Sequence, residues 1–274
     1  MPADRSRPAH RRVAVAFVAL VVTLLPAACG TAPATREPVA ATSSAGPPAS
    51  HPALRPVAGK VIVVDPGHNG GNAAHPQVIR RPVDAYTHRK PCNTVGASTA
   101  DGYPEHAFTW DVGSRLAALL TAAGANVVMT RSDDTGVGPC VTERAEIANR
   151  SGAAVAVSIH ADGGPADGHG FHVLEPAAIP GAPSAAIVEP SHRLALAVRD
   201  HLRPVQPPAT YIGRDGIDTR SDMAGLNLSR VPVVMVECGN MRNPADAANL
   251  ADPVFRQRLA EALAEGVAAF LAAG

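Results

Sequence analysis

Three short apolar runs end in residues capable of chemistry. Val61-Ile62-Val63-Val64 leads into Asp65-Pro66-Gly67-His68-Asn69-Gly70-Gly71, residues 153–159 lead into His160-Ala161-Asp162, and residues 231–236 lead into Glu237-Cys238-Gly239-Asn240. Two imidazoles and one carboxylate are the common donor set of catalytic zinc sites, which keep a fourth position for water. A metal held by the two imidazoles needs a third protein ligand. Glu105 opens a helical stretch just after Pro104, where a carboxylate also complements the helix macrodipole. Its neighbour His106 lies about a hundred degrees round the helix, and spacing alone does not choose between them. His169 and His172 compete for the same role, but strand alternation sets them on opposite faces, and they read as structural or surface residues. The glycines at 67, 70 and 71 match no dinucleotide or Walker spacing.

The elements that must carry these residues alternate along the chain. Strands are predicted at 61–64, 126–129, 153–159, 170–174 and 231–236. Helices are predicted at 105–123, 141–150, 191–202 and 255–271. The first of these places Phe108, Val112, Leu116, Leu119 and Leu120 on one face, and Gly124 ends it. Continuous apolar strands alternating with helices indicate an α/β domain whose mostly parallel sheet is covered on both faces, spanning 57–274. In such a sheet ligands bind beyond the carboxyl ends of the strands. His68, His160 and Glu237 are thereby delivered to one edge, provided their three strands are parallel.

Hydrophobic residues make up 46% of the 274 and charged residues 18%, which supports a sizeable core and excludes wholesale disorder. Aromatics are only 3%, so Ala, Val and Leu must build that core. The 24 basic and 24 acidic residues cancel, which argues against a nucleic-acid partner held by bulk charge. Lys60 and Lys90 are the only lysines. Residues 1–30 carry Arg5, Arg7, Arg11 and Arg12, then an apolar run from Val13 to Ala28. That run is short for a spanning helix, and the segment reads as a secretory signal peptide. Small residues followed by Cys29 resemble a bacterial lipoprotein signal with Cys29 as the acylated residue, although Pro26 stands where that pattern has Leu; ordinary cleavage nearby is the alternative. Residues 31–56, rich in Pro, Ala, Ser and Thr, read as a linker. The expected location is outside the cytoplasmic membrane, in periplasm or cell wall, with membrane contact only through the signal or a lipid anchor.

Residues 63–71, Val-Val-Asp-Pro-Gly-His-Asn-Gly-Gly, resemble the opening motif of the zinc-dependent N-acetylmuramoyl-L-alanine amidases of the third amidase family. Ser158-Ile159-His160-Ala161-Asp162 resembles a later motif of that family, as does residues 233–239 with Asn243-Pro244 following. Thr130-Arg131-Ser132-Asp133 fits as well, so the likeness spans about residues 59–271. It implies zinc held by His68, Glu105 and His160, with Glu237 as catalytic base. It implies cleavage of the amide between N-acetylmuramic acid and L-alanine in peptidoglycan, for wall remodelling or daughter-cell separation. The long segment 72–103 departs from the pattern and is placed to cover or shape the groove; Cys238 is a second departure. Another zinc peptidase of the cell wall and a non-catalytic wall-binding module remain as alternatives, the first opposed by the order of the motifs and the second by the complete residue set. Export permits a disulfide. Cys29 is lipidated or removed, and alternation turns Cys238 away from Glu237 as a buried thiol, which leaves Cys92 and Cys140 to pair.

Overall fold

The computed structural model describes residues 52–274. Residues 1–30, Cys29 among them, and most of the stretch read as linker lie outside the described residues. The chain enters through a 3-10 helix, Pro52–Val57, whose Leu54 and Val57 are buried. Residues 52–56, read from composition as linker, are therefore the start of the folded domain. Two apolar side chains, each contributing roughly 1.5–3 kcal/mol on burial, outweigh a local sequence without periodicity.

The strands are β1 (Val61–Pro66), β2 (Pro82–Asp84), β3 (Arg89–Pro91), β4 (Asn126–Met129), β5 (Val155–Asp162), β6 (His172–Pro176), β7 (Ile217–Arg220) and β8 (Val233–Asn240). The helices are α1 (Pro76–Ile79), α2 (Glu105–Ala122), α3 (Val141–Arg150), α4 (Val188–Leu202), α5 (Ala224–Asn227), α6 (Pro244–Ala251) and α7 (Pro253–Ala273). Six strands form one sheet in the order β4-β1-β5-β8-β6-β7, and β2 and β3 form a separate antiparallel hairpin. The pairs β4–β1, β1–β5 and β5–β8 are parallel. β6 runs antiparallel to β8 and parallel to β7. The mostly parallel α/β sheet holds, with the reversal confined to one end.

The two faces of the sheet are covered unequally. Ile62, Val64, Val157, Ile159, Val234, Val236 and Cys238 join side chains of α2, α4 and α7 in the larger core. The helices there pack closely: a Cβ on Gly266 of α7 would lie 2.8 Å from Val198 Cα of α4, so only glycine permits that contact. Asp252 caps α7 by accepting from the Val254 amide at 2.9 Å, with Pro253 in the first turn, the usual chemistry of a helix start. The other face carries a smaller cluster of Val63, Ala148, Ala156, Leu174, Leu226 and Val233. By strand alternation Asp65, Ser158, His160 and Glu237 share this thinly covered face, which leaves room above them for a ligand.

Candidate active site

β5 and β8 are longer than their apolar runs. His160 and Glu237 therefore sit within the last residues of the strands rather than beyond them, directly paired across the parallel ladder. His68 lies in the loop after β1 in a left-handed conformation, φ 58°. That geometry is uncommon for a residue with a Cβ and persists where surroundings over-determine it. Here they do. Arg144 of α3 donates to the carbonyls of Pro66 and His68, both at 2.7 Å, and to Asp65 Oδ1 at 2.6 Å. Arg131 donates to the Pro66 carbonyl at 3.0 Å and Thr109 to that of Gly67 at 2.7 Å. Asp65 also accepts from Ser158 and Thr130. Burial alone would push the Asp65 carboxyl up, but the Arg144 charge and these hydrogen bonds hold it down at about 2.

His68, Glu105 and His160 are brought together, with one potential ligating atom of each lying within 4.8 Å of the others. Glu105 Oε1 is 3.0 Å from His68 Nε2 and 2.9 Å from His160 Nδ1. The other ring nitrogen of His68 donates to the Thr94 carbonyl at 3.1 Å, which fixes the tautomer and leaves Nε2 its lone pair toward the cluster. Glu105 Oε2 accepts from the Ala97 amide at 2.7 Å. Burial opposes the charged form of Glu105, yet the two imidazoles hold it well below the usual carboxylate range. Gly67 is required by the contact itself, since a Cβ there would fall 2.2 Å from His160 Cε1.

Glu105, not His106, is the helix residue that reaches the cluster; His106 turns to Asp134 at 2.8 Å. Glu237 has its Oε2 buried without a hydrogen-bond partner. Burial first, then the negative charges of Glu105 and Asp162, raise its carboxyl well above the ordinary value. Neither His169 nor His172 belongs to the cluster. His172 is buried in β6, paired opposite Glu237 on the side away from His160. Cys238 is a free, buried thiol in the larger core.

Cys92 and Cys140 are joined by a disulfide, which ties the segment 72–103 to the start of α3. That segment contributes directly to the cluster, through the Thr94 carbonyl and the Ala97 amide. Neither backbone group has a signature in the sequence, and Arg144 sits in a helix whose pattern shows only a solvated charge. The β2–β3 hairpin and β7 also escaped the sequence reading because each is only three or four residues long. A cavity of about 340 Å³ opens over the cluster and runs between the sheet, α3, α5 and β3.

Two histidines and a glutamate facing one point, beside a second, unpaired carboxylate in an open cavity, form a donor set that could hold a catalytic metal ion. Residues 62–269 match the profile of the N-acetylmuramoyl-L-alanine amidase family, Amidase_3, and the chain belongs to that family. It is 48% identical to the N-acetylmuramoyl-L-alanine amidase Rv3717 of Mycobacterium tuberculosis over 217 residues, 79% of this chain and 88% of that one. The crystal structure of the amidase Ami1 of Mycobacterium smegmatis is similar at 47% identity and a TM-score of 0.75, covering 80% of this chain and 99% of that one. That of Mycobacterium abscessus Ami1 gives 45% and 0.73, covering 78% and 100%.

Proposed function

We propose that this chain hydrolyses the amide joining N-acetylmuramic acid to the L-alanine of the peptidoglycan stem peptide, with zinc as cofactor. The observation that carries the reading is the meeting of His68, Glu105 and His160 at one point, with Glu237 on the adjoining strand. The donor set fits the ion: two imidazole nitrogens and a carboxylate oxygen, with one imidazole already oriented by a backbone carbonyl. His68 Nε2, His160 Nδ1 and Glu105 would hold the zinc. When bound, it supplies Lewis-acid chemistry, lowering the pKa of water and polarising a carbonyl.

The protein's own groups do the rest. Glu237 Oε2, with no competing partner, accepts the proton of the attacking water and returns it to the leaving amine of alanine. The raised proton affinity of this carboxyl strengthens it as the acceptor in the first half of that transfer. Arg144, Arg131 and Thr109 hold the His68 loop, and the Thr94 carbonyl and Ala97 amide hold the ligand side chains, so the site is assembled before substrate arrives. A polymer substrate suits a site on an open sheet edge. Action on peptidoglycan agrees with an exported enzyme that reshapes the wall or separates daughter cells, reaching the membrane only through its signal or a lipid on Cys29. None of the described helices is long and apolar enough to cross a membrane.

Mass spectrometry of digested muropeptides tests this directly. Free stem peptides without sugar are expected. Shortened stems would establish a peptidase instead, and unchanged muropeptides a binding module. Glu237→Gln should keep its zinc and lose activity, whereas His68→Ala and His160→Ala should lose both. Equal zinc content in all four proteins would refute the metal assignment.

A further inference from the structure

The cavity lined by His68, Glu105 and His160 has a second chemical feature in its wall. Lys90, on β3 of the hairpin, lines it together with Met223, Leu226 and Met235. The lysine is half-buried, and burial first of all lowers its proton affinity. Its ammonium group touches only the Asp222 carbonyl at 3.1 Å and the Met223 sulfur at 3.8 Å. The Asp222 carboxylate beside it is already taken by a two-point pair with Arg220, both contacts at 2.8 Å. Among the described residues no carboxylate lies within ion-pair distance of Lys90. A half-buried cation with one neutral oxygen and one thioether keeps unused donor capacity, and it keeps it in the lining of the cavity that holds the site.

We propose that Lys90 is a specificity-determining residue that receives a free carboxylate on the peptide side of the scissile amide. The inference rests on the amidase reading above. In that substrate the muramic acid carboxyl is consumed in forming the scissile amide, so the sugar side of the bond offers no anion there. Every free carboxylate near the bond belongs to the peptide. The apolar side chains that line the cavity with Lys90 suit the alkyl parts of that peptide, and the lysine suits its charge. The β2–β3 hairpin thus gains a role beyond covering the groove.

The test uses the zinc-loaded protein and two probes, an N-acetylmuramoyl tripeptide with its carboxyl groups free and the same compound with every carboxyl amidated. A charge-assisted hydrogen bond in a partly buried site predicts a kcat/KM ratio of about ten or more in favour of the free compound, expressed chiefly in KM. Lys90→Met should bring the ratio close to one, and Lys90→Arg should keep most of it. The ratio of wild-type protein is informative without any variant: equal cleavage of both probes overturns the subsite and leaves the amidase reading standing. A Lys90→Met protein with the wild-type ratio overturns it equally. Cleavage of neither probe by wild-type protein removes the amidase reading and the subsite together.

Discussion

Replacing Arg144 by Met strips the His68 loop of its central donor while nearly preserving side-chain volume. Arg144 and Asp65 are largely buried, their side chains 6% and 15% exposed, with a contact of 2.6 Å. Removing one partner of a buried pair costs about 3–5 kcal/mol, because the other charge is left uncompensated; against a typical total of 5–15 kcal/mol this is a large share. The pH dependence shows whether the cause is Asp65. In the wild-type protein its folded pKa of about 2 lies below the ordinary carboxyl value of 3.8. It therefore contributes about 2 kcal/mol that is complete above the unfolded value and lost as pH falls toward the folded one. In Arg144→Met, burial is opposed by the Ser158 and Thr130 hydrogen bonds and the weaker pull of the Arg131 charge, so the carboxyl rises and its charged form becomes a burden at neutral pH. Urea unfolding with the disulfide intact, from pH 7 down to 3, should show a gap between the two proteins that is widest at pH 7 and narrows below about pH 5. A gap under about 1 kcal/mol at pH 7, or one that stays constant with pH, would refute the argument. Zinc affinity should fall with stability, because the same guanidinium holds the His68 carbonyl.

Two further changes probe how the site is supported. Converting both Cys92 and Cys140 to Ser opens a loop closed across a separation of 48 residues, worth about 4 kcal/mol on the chain-entropy model. Thermal unfolding should register the loss, and zinc affinity should drop with it, since Thr94 and Ala97 are carried by the released segment; an unchanged melting temperature would count against both expectations. Gly67→Ala should weaken zinc binding more than folding, because the added Cβ meets the His160 ring and the ring must turn away. Calorimetric titration showing wild-type affinity would mean that the ring tolerates the displacement.

Much of the chemistry was legible in the residues. Apolar runs of Val, Ile and Ala mark β1, β5 and β8 because a strand buried on both faces must be apolar throughout, and the breaks in those runs locate His68, His160 and Glu237. Alternation along β8 also separates Cys238 from Glu237. Spacing could not choose Glu105 over His106, because neighbours on a helix differ only in direction, and direction acquires meaning only once α2 is docked on the sheet. Nor could it show that β6 runs against β8, since an antiparallel pair at the end of a parallel sheet leaves the same apolar signature. The supports of the site lay furthest from view. Thr94 and Ala97 act through backbone atoms that every residue has, Arg144 reaches the loop from 76 residues away, and Lys90 becomes an unpaired cation only when the hairpin folds over the cavity. Residue type and local period determine which groups can react; which groups meet, and which are left without partners, depends on contacts distant in the chain, and only the tertiary structure decides those.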